Sequence, residues 1–210
     1  MNIILLLKYL FLGLVQGLAE GLPISSSGHL LIFKHLLNLD VDFDTLAIIT
    51  NFGSLVGIII VFRNEWIRLI KHFFEYLLKK KEEAKADFKY CWLIVLGCIP
   101  AGIIGLIVKK LDIFESIDNN VKVVGISLII TSVMLYLART FKGSIKAKDM
   151  TWKEALKVGC FQILGIFPGI SRSGSTLVGG LFSKLNRDTA FKYSFLLYVP
   201  MSVADTGLEL

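Results

Sequence analysis

The chain has 210 residues, 54% of them hydrophobic and 19% charged, with a formal net charge of +6. A mean hydropathy of +0.67, with uncharged apolar stretches close to the ~20 residues that cross a ~30 Å hydrocarbon core, excludes an ordinary soluble domain. The basic residues share their longest loop with Glu82, Glu83 and Asp87, so they do not build a nucleic-acid surface.

The apolar start, Met1–Gly21, has no basic segment ahead of it. Gln16 and Glu20 stand where a leader would need small cleavage-site residues, so the stretch reads as mature protein. Residues 3–37 are of intermediate hydrophobicity, broken by Pro-Ile-Ser-Ser-Ser-Gly at 23–28, and are predicted as a re-entrant helical hairpin. Three uncharged segments follow as predicted spans, at 45–62, 90–108 and 123–138. A second broken region at 154–183 predicts a second re-entrant hairpin, and 191–210 a further span.

Charge orders these elements across a bilayer. The loop 63–89 carries eight Lys or Arg, 139–157 six and 184–192 three, whereas 1–44 and 109–122 together carry five. The first three are therefore expected inside and the last two outside. Trp66, Trp92 and Trp152 fall at span ends, as interfacial aromatics do. Cys91, Cys98 and Cys160 lie within apolar segments without metal-ligand spacing and read as small packing residues. His35 and His72 read as solvated or interfacial.

The two broken regions resemble each other. At an offset of 146 residues Gln16 falls on Gln162, Ile24 on Ile170, Ser25 on Ser171, Ser27 on Ser173 and Gly28 on Gly174. Three spans separate the copies, so the second copy is expected to be inverted, with both tips lining one cavity. The predicted fold is an all-α polytopic membrane protein with two inverted-topology repeats, each starting with a re-entrant helical hairpin.

Gln16 and Glu20 are four residues apart on one helix face. A carboxylate at membrane depth is costly and marks Glu20 as functional. Pro23 breaks that helix, and Ser25, Ser26, Ser27 and His29 cluster at the start of the next, where free N–H groups favour an anion. The second tip adds Arg172, whose fork suits bidentate phosphate or carboxylate binding, with hydroxyls from Ser171, Ser173, Ser175 and Thr176. Arg172 is alternatively a structural ion partner of Glu20. The ligand expected is an oxygen-rich anion such as phosphate or diphosphate, with acid, base, metal-ligand and nucleophile candidates among Glu20, His29 and the serines. Asn51 either faces the cavity or packs against a neighbouring helix; Asp205 and Glu209 carry no assignment.

These residues bring the chain close to a known family. Gln16-Gly-Leu-Ala-Glu20 with Pro23-Ile-Ser-Ser-Ser-Gly-His29, and Pro168-Gly-Ile-Ser-Arg-Ser-Gly-Ser-Thr176, resemble the two motifs of the undecaprenyl-diphosphate phosphatases of the bacitracin-resistance type. The resemblance extends along the whole chain and implies hydrolysis of a long-chain polyprenyl diphosphate with a divalent cation, Mg²⁺ or Ca²⁺, held partly by Glu20. It implies a multi-pass protein of the bacterial inner (plasma) membrane that recycles the cell-wall carrier lipid. By position, Glu20, Ser26, His29 and Arg172 would be catalytic, and Gln16, Ser25, Ser27, Ser171, Ser173 and Thr176 would bind substrate. Ser26 would attack with His29 as base, or Glu20 and His29 would activate water. Gln16 replaces the Glu that many members have, and Asn51 a common Gln. Members continue by two further spans, so the chain is expected to lack these, leaving its second hairpin uncovered unless another chain covers it; a homo-oligomer is compatible. The competing reading is a polyprenyl-phosphate flippase or anion transporter. A purely structural subunit leaves the polar tips unexplained.

Overall fold

The computed structural model describes residues 3–209 except 115, 116 and 118, and only the backbone of 208 and 209. The Glu209 side chain and Leu210 therefore lie outside the described residues. The chain is helical almost throughout: α1 (Ile3–Glu20), α2 (Ser26–Leu36), α3 (Phe43–Val61), α4 (Arg63–Lys79), α5 (Lys85–Lys110), α6 (Val121–Ala138), α7 (Trp152–Gln162), α8 (Arg172–Phe182) and α9 (Arg187–Glu209). Short 3₁₀ turns precede α5 and α7, and a third, Ile163–Ile166, follows α7.

Side-chain caps set where these helices start. Ser25 Oγ accepts from Gly28 N at 3.3 Å and Ser171 Oγ from Gly174 N at 3.0 Å. Asp42 Oδ2 accepts from Thr45 N to open α3, and Asn186 Oδ1 from Thr189 N at the same distance, 2.8 Å, to open α9. Thr151 and Glu154 form a capping box on α7. Both broken regions are thus helix–break–helix units with equivalent caps, as their sequence likeness predicts.

Four helices among the described residues are long and apolar enough to cross a membrane: α1, α3, α5 with its preceding turn, and α6. Three match the predicted uncharged spans. The fourth, α1, is long enough to cross by itself, although residues 3–37 read as a hairpin. The charged loop 63–89 is largely helix, since α4 runs from Arg63 to Lys79. Its charges hide an amphipathic pattern: Leu69 is buried while Ile67, Ile70, Phe74, Leu77 and Leu78 form an exposed apolar surface. Arg68 and His72 both reach Asp87, at 3.2 and 2.5 Å, and tie α4 to α5. That pattern suits a helix lying in the membrane interface.

The main core lies where α5 seats against α7 and α9, with Leu93, Ile94, Ala155, Val158, Tyr193, Leu196 and Leu197 buried together. Close approach needs glycine at the crossing. A Cβ on Gly97 would lie 2.5 Å from the Tyr193 hydroxyl, and one on Gly159 would lie 2.5 Å from the Gly97 carbonyl oxygen. Tyr193 Oη donates to the Leu93 carbonyl at 2.5 Å across the same seam. A smaller core joins α1, α2 and α3 through Leu12, Leu30, Leu39 and Leu46. Leu55, Ile58, Phe195 and Tyr198 join α3 to α9.

Exposure corrects one expectation. The second hairpin is the covered one, with most of α8 buried, whereas α1 exposes Ile3, Ile4, Leu7, Leu10, Leu14 and Leu18. Between α1 and α3 runs an apolar groove of about 930 Å³, with Gly13, Gly17, Gly53 and Gly57 on its walls and Glu20 among its lining residues. At the position in α1 that corresponds to Gly159, a Cβ on Gly13 would meet nothing within 4 Å.

Gly159→Val is expected to destabilise the protein by about 1–3 kcal/mol through overpacking, seen as a lower melting temperature in detergent. Gly13→Val is expected to leave the melting temperature essentially unmoved.

Candidate functional site

The two tips meet directly. A Cβ on Gly174 would lie 2.9 Å from the Pro23 carbonyl oxygen, so only glycine permits this approach. Helix α6 buttresses both tips. Val124 and Leu128 side chains stand 3.2 Å from a Cβ on Gly28, and the Val124 Cα stands 2.9 Å from one on Gly169. Gly169 adopts φ 81°, the left-handed region that glycine occupies without strain. The Thr131 hydroxyl of α6 accepts from Ser171 N at 3.2 Å.

Between the tips lies a cavity of about 230 Å³. The first tip lines it with Gln16, Glu20, Ser25, Ser26 and Ser27, the second with Ser171, Arg172 and Ser173. Helix α3 contributes Asp44 and Asn51, and α9 contributes Asp205 and Thr206.

Glu20 ends α1, and its Oε2 accepts two bonds: from the Gln16 amide nitrogen at 3.1 Å and from the Ser26 hydroxyl. The i, i+4 spacing delivers the first. The break at Pro23, which turns α2 back on α1, delivers the second. Ser25, between them, caps α2 in a left-handed conformation at φ 68°. A serine pays for that conformation in backbone strain, which persists where surrounding structure enforces it. In the second tip Ser171 caps α8, and its Oγ lies 3.3 Å from the Ser173 Oγ.

Arg172 opens α8, but its partner is not Glu20. Its Nη1 donates to Asp205 Oδ2 at 2.9 Å, and its guanidinium lies over the Tyr198 ring, 5.4 Å from the centroid. The Tyr198 hydroxyl in turn donates to Asn51 Oδ1 at 2.7 Å, so Asn51 both lines the cavity and packs across helices. Sequence reading left Asp205 unassigned and passed over Tyr198 and Asp44. The available signal for Asp205 was an acid late in an otherwise apolar helix.

Two expected residues stand apart from the cavity wall. His29 does not line it: one turn into α2, its Nδ1 pairs with the Ser25 carbonyl at 2.8 Å. Thr176 is buried beneath α8, where its hydroxyl bonds the Ser194 hydroxyl at 2.5 Å and the carbonyls of Arg172 and Ser173 at 3.1 Å. Four residues past Arg172, it faces α9 rather than the cavity. It supports the tip from behind.

Among the described residues, no three His, Cys, Asp or Glu side chains converge on a metal-binding point. Glu20 nevertheless stands beside the Gln16 Oε1, a buried oxygen with no hydrogen-bond partner there, and beside serine hydroxyls. This hard-oxygen donor set fits Mg²⁺ or Ca²⁺ when phosphate oxygens complete the shell. The opposite wall offers the α8 N-terminus, with its free N–H groups and positive dipole end, beside Arg172. The cavity suits an anion of several oxygens, with a hydroxyl and its base on one side and a positive wall on the other. Arg172→Gln is expected to weaken inorganic diphosphate binding by roughly tenfold or more, the loss of a charge-assisted hydrogen bond, as measured by titration calorimetry in detergent.

The chain is similar to known proteins. Residues 9–210 match the family described as bacitracin resistance protein BacA. The chain is 42% identical over 205 residues to undecaprenyl-diphosphatase 2 of Bacillus thuringiensis strain Al Hakam, covering 98% of this chain and 75% of that one. It is 35% identical over 210 residues to undecaprenyl-diphosphatase 1 of Bacillus licheniformis, covering 100% of this chain and 77% of that one. With undecaprenyl-diphosphatase of Oceanobacillus iheyensis it shares 37% identity over 206 residues, 98% of this chain and 74% of the other. Its four apolar helices, its two glycine-linked polar tips and this match agree: the chain belongs to the bacitracin resistance protein BacA family.

Proposed function

We propose that this chain is an undecaprenyl-diphosphatase of the bacterial plasma membrane. It hydrolyses undecaprenyl diphosphate to undecaprenyl phosphate and inorganic phosphate, recycling the cell-wall carrier lipid and conferring bacitracin resistance. The observation that carries the reading is the position of Glu20. This carboxylate lines both a polar cavity that suits an oxygen-rich anion and the apolar groove between α1 and α3. A polyprenyl diphosphate has these two parts. Its head belongs beside Arg172 and the α8 N-terminus, its tail along the glycine-lined groove. The tips enter the bilayer from opposite faces, following the charge pattern of the loops.

The chemistry follows from the Glu20–Ser26 pair. Glu20 takes the Ser26 proton as the hydroxyl oxygen bonds the terminal phosphorus. The bridging P–O bond breaks and the lipid monophosphate leaves. Water then cleaves the phosphoserine to release phosphate and restore the hydroxyl. Arg172 and the α8 N–H groups neutralise charge that builds on the phosphoryl oxygens. Mg²⁺ or Ca²⁺, held by Glu20 and the Gln16 amide oxygen together with substrate, would supply further neutralisation and polarise the phosphoryl group. His29 supports the Ser25 turn and stays outside the proton transfer.

Phosphate release from a long-chain prenyl diphosphate in detergent tests the reading, because a transporter cannot register in that assay. Glu20→Gln is expected to lower kcat by roughly 10²-fold or more, and radiolabelled substrate is expected to trap a phosphoserine at residue 26. Absence of release from wild-type protein would sink the phosphatase assignment. Gly17→Trp, placed where a Cβ meets nothing within 4 Å, is expected to obstruct the groove and raise KM for long-chain diphosphates severalfold while sparing a short-chain one; equal effects on both would remove the groove from tail binding.

A further inference from the structure

Asp205 is the feature the proposed mechanism leaves unused. It reaches the cavity from α9 and bonds Arg172 at 2.9 Å. Arg172 has no other hydrogen-bond acceptor among the described residues. To a guanidinium, a carboxylate oxygen and a phosphate oxygen are the same kind of partner. Asp205 therefore sits on the donor that an incoming diphosphate needs. A diphosphate at Arg172 would place its own negative charge beside that carboxylate, and like charges at such range repel strongly in a partly desolvated cavity.

The two partners differ in how freely they can give way. The Arg172 side chain is 26% exposed and rests over Tyr198, which Asn51 holds; the Asp205 side chain is 46% exposed. Asp205 also lies past Pro200, which removes one backbone hydrogen bond from α9. Asp205 is thus the partner free to swing away, and Arg172 the one that stays.

We propose, on the phosphatase reading above, that Asp205 is a resident counter-anion that substrate displaces from Arg172 and that returns when the product leaves. It keeps Arg172 neutralised in the empty cavity. It also sets a threshold that an anion must exceed to enter, which favours the more highly charged diphosphate over a monophosphate. Asp205 is a specificity-determining residue and takes no part in bond breaking.

The test is binding of inorganic diphosphate to the detergent-solubilised chain by titration calorimetry, which needs no turnover. Asp205→Asn and Asp205→Ser are each expected to tighten binding roughly 1.5- to fivefold, the range for a half-exposed ion pair. In an Arg172→Gln background the same changes are expected to tighten binding by less, since only the direct repulsion between Asp205 and the diphosphate is then left to relieve. With a long-chain prenyl diphosphate the gain is expected in KM rather than kcat, and inhibition by the lipid monophosphate is expected to strengthen. Unchanged or weaker diphosphate binding in both variants overturns the proposal. So does a fall in kcat that Asp205→Glu rescues, which would make Asp205 a cation ligand or a group that positions Arg172. Wild-type protein that binds diphosphate but releases no phosphate defeats the phosphatase reading and leaves the binding comparison decisive for Asp205.

Discussion

A carboxylate among apolar helices must be compensated where it stands, and the site is organised around how Glu20 meets that requirement. Water is scarce at that depth, so hydrogen bonds must come from protein. Gln16 supplies one from the previous helical turn, and Ser26 supplies the other from across the break. The second donor is possible only because the chain doubles back at Pro23 and Ser25 accepts a left-handed conformation. Holding that conformation falls to neighbours: Gly174 lets the second tip press on the Pro23 carbonyl, and α6 backs Gly28 and Gly169. Glycines at 28, 169 and 174 are thus tied, through contact distance, to the hydrogen bonding of one acid.

Much of this was legible in the sequence. Uncharged runs locate α3, α5 and α6, since crossing a bilayer and lacking charge are the same physical demand. The likeness between residues 16–28 and 162–174 predicts matched breaks, and the Ser25 and Ser171 caps realise it. Helix α4 was hidden because its charges dominate a count, whereas its apolar face appears only in the 3.6-residue period. The His29 side chain cannot be aimed from sequence. It is adjacent to the motif serines, yet the cavity lies on the face that presents Ser26, and the ring turns back to the Ser25 carbonyl. The Arg172–Asp205 pair spans 33 residues, and no periodicity links positions so far apart.

The helix–break–helix units share their caps and differ in surroundings. Around α7, helix α5 packs so closely that Gly159 and Gly97 are needed at the crossing. Around α1 the corresponding surface is open, and Gly13, Gly17, Gly53 and Gly57 line a groove. Small residues let helices touch in one half and leave a furrow in the other. Asymmetric burial sets otherwise similar tips apart: the enclosed one presents Arg172 at a buried helix start, while the open one carries Glu20 beside the furrow.

That furrow has a consequence for how concentration should be understood. On the proposed function, a cleft between α1 and α3 that takes a prenyl tail draws it from the surrounding leaflet, and the quantity that fills it is that lipid's mole fraction among lipids. Occupancy then rises when the membrane area shrinks and falls when inert lipid is added, even if the amount of ligand per volume of cell stays fixed. Membrane composition itself becomes a variable of the rate law.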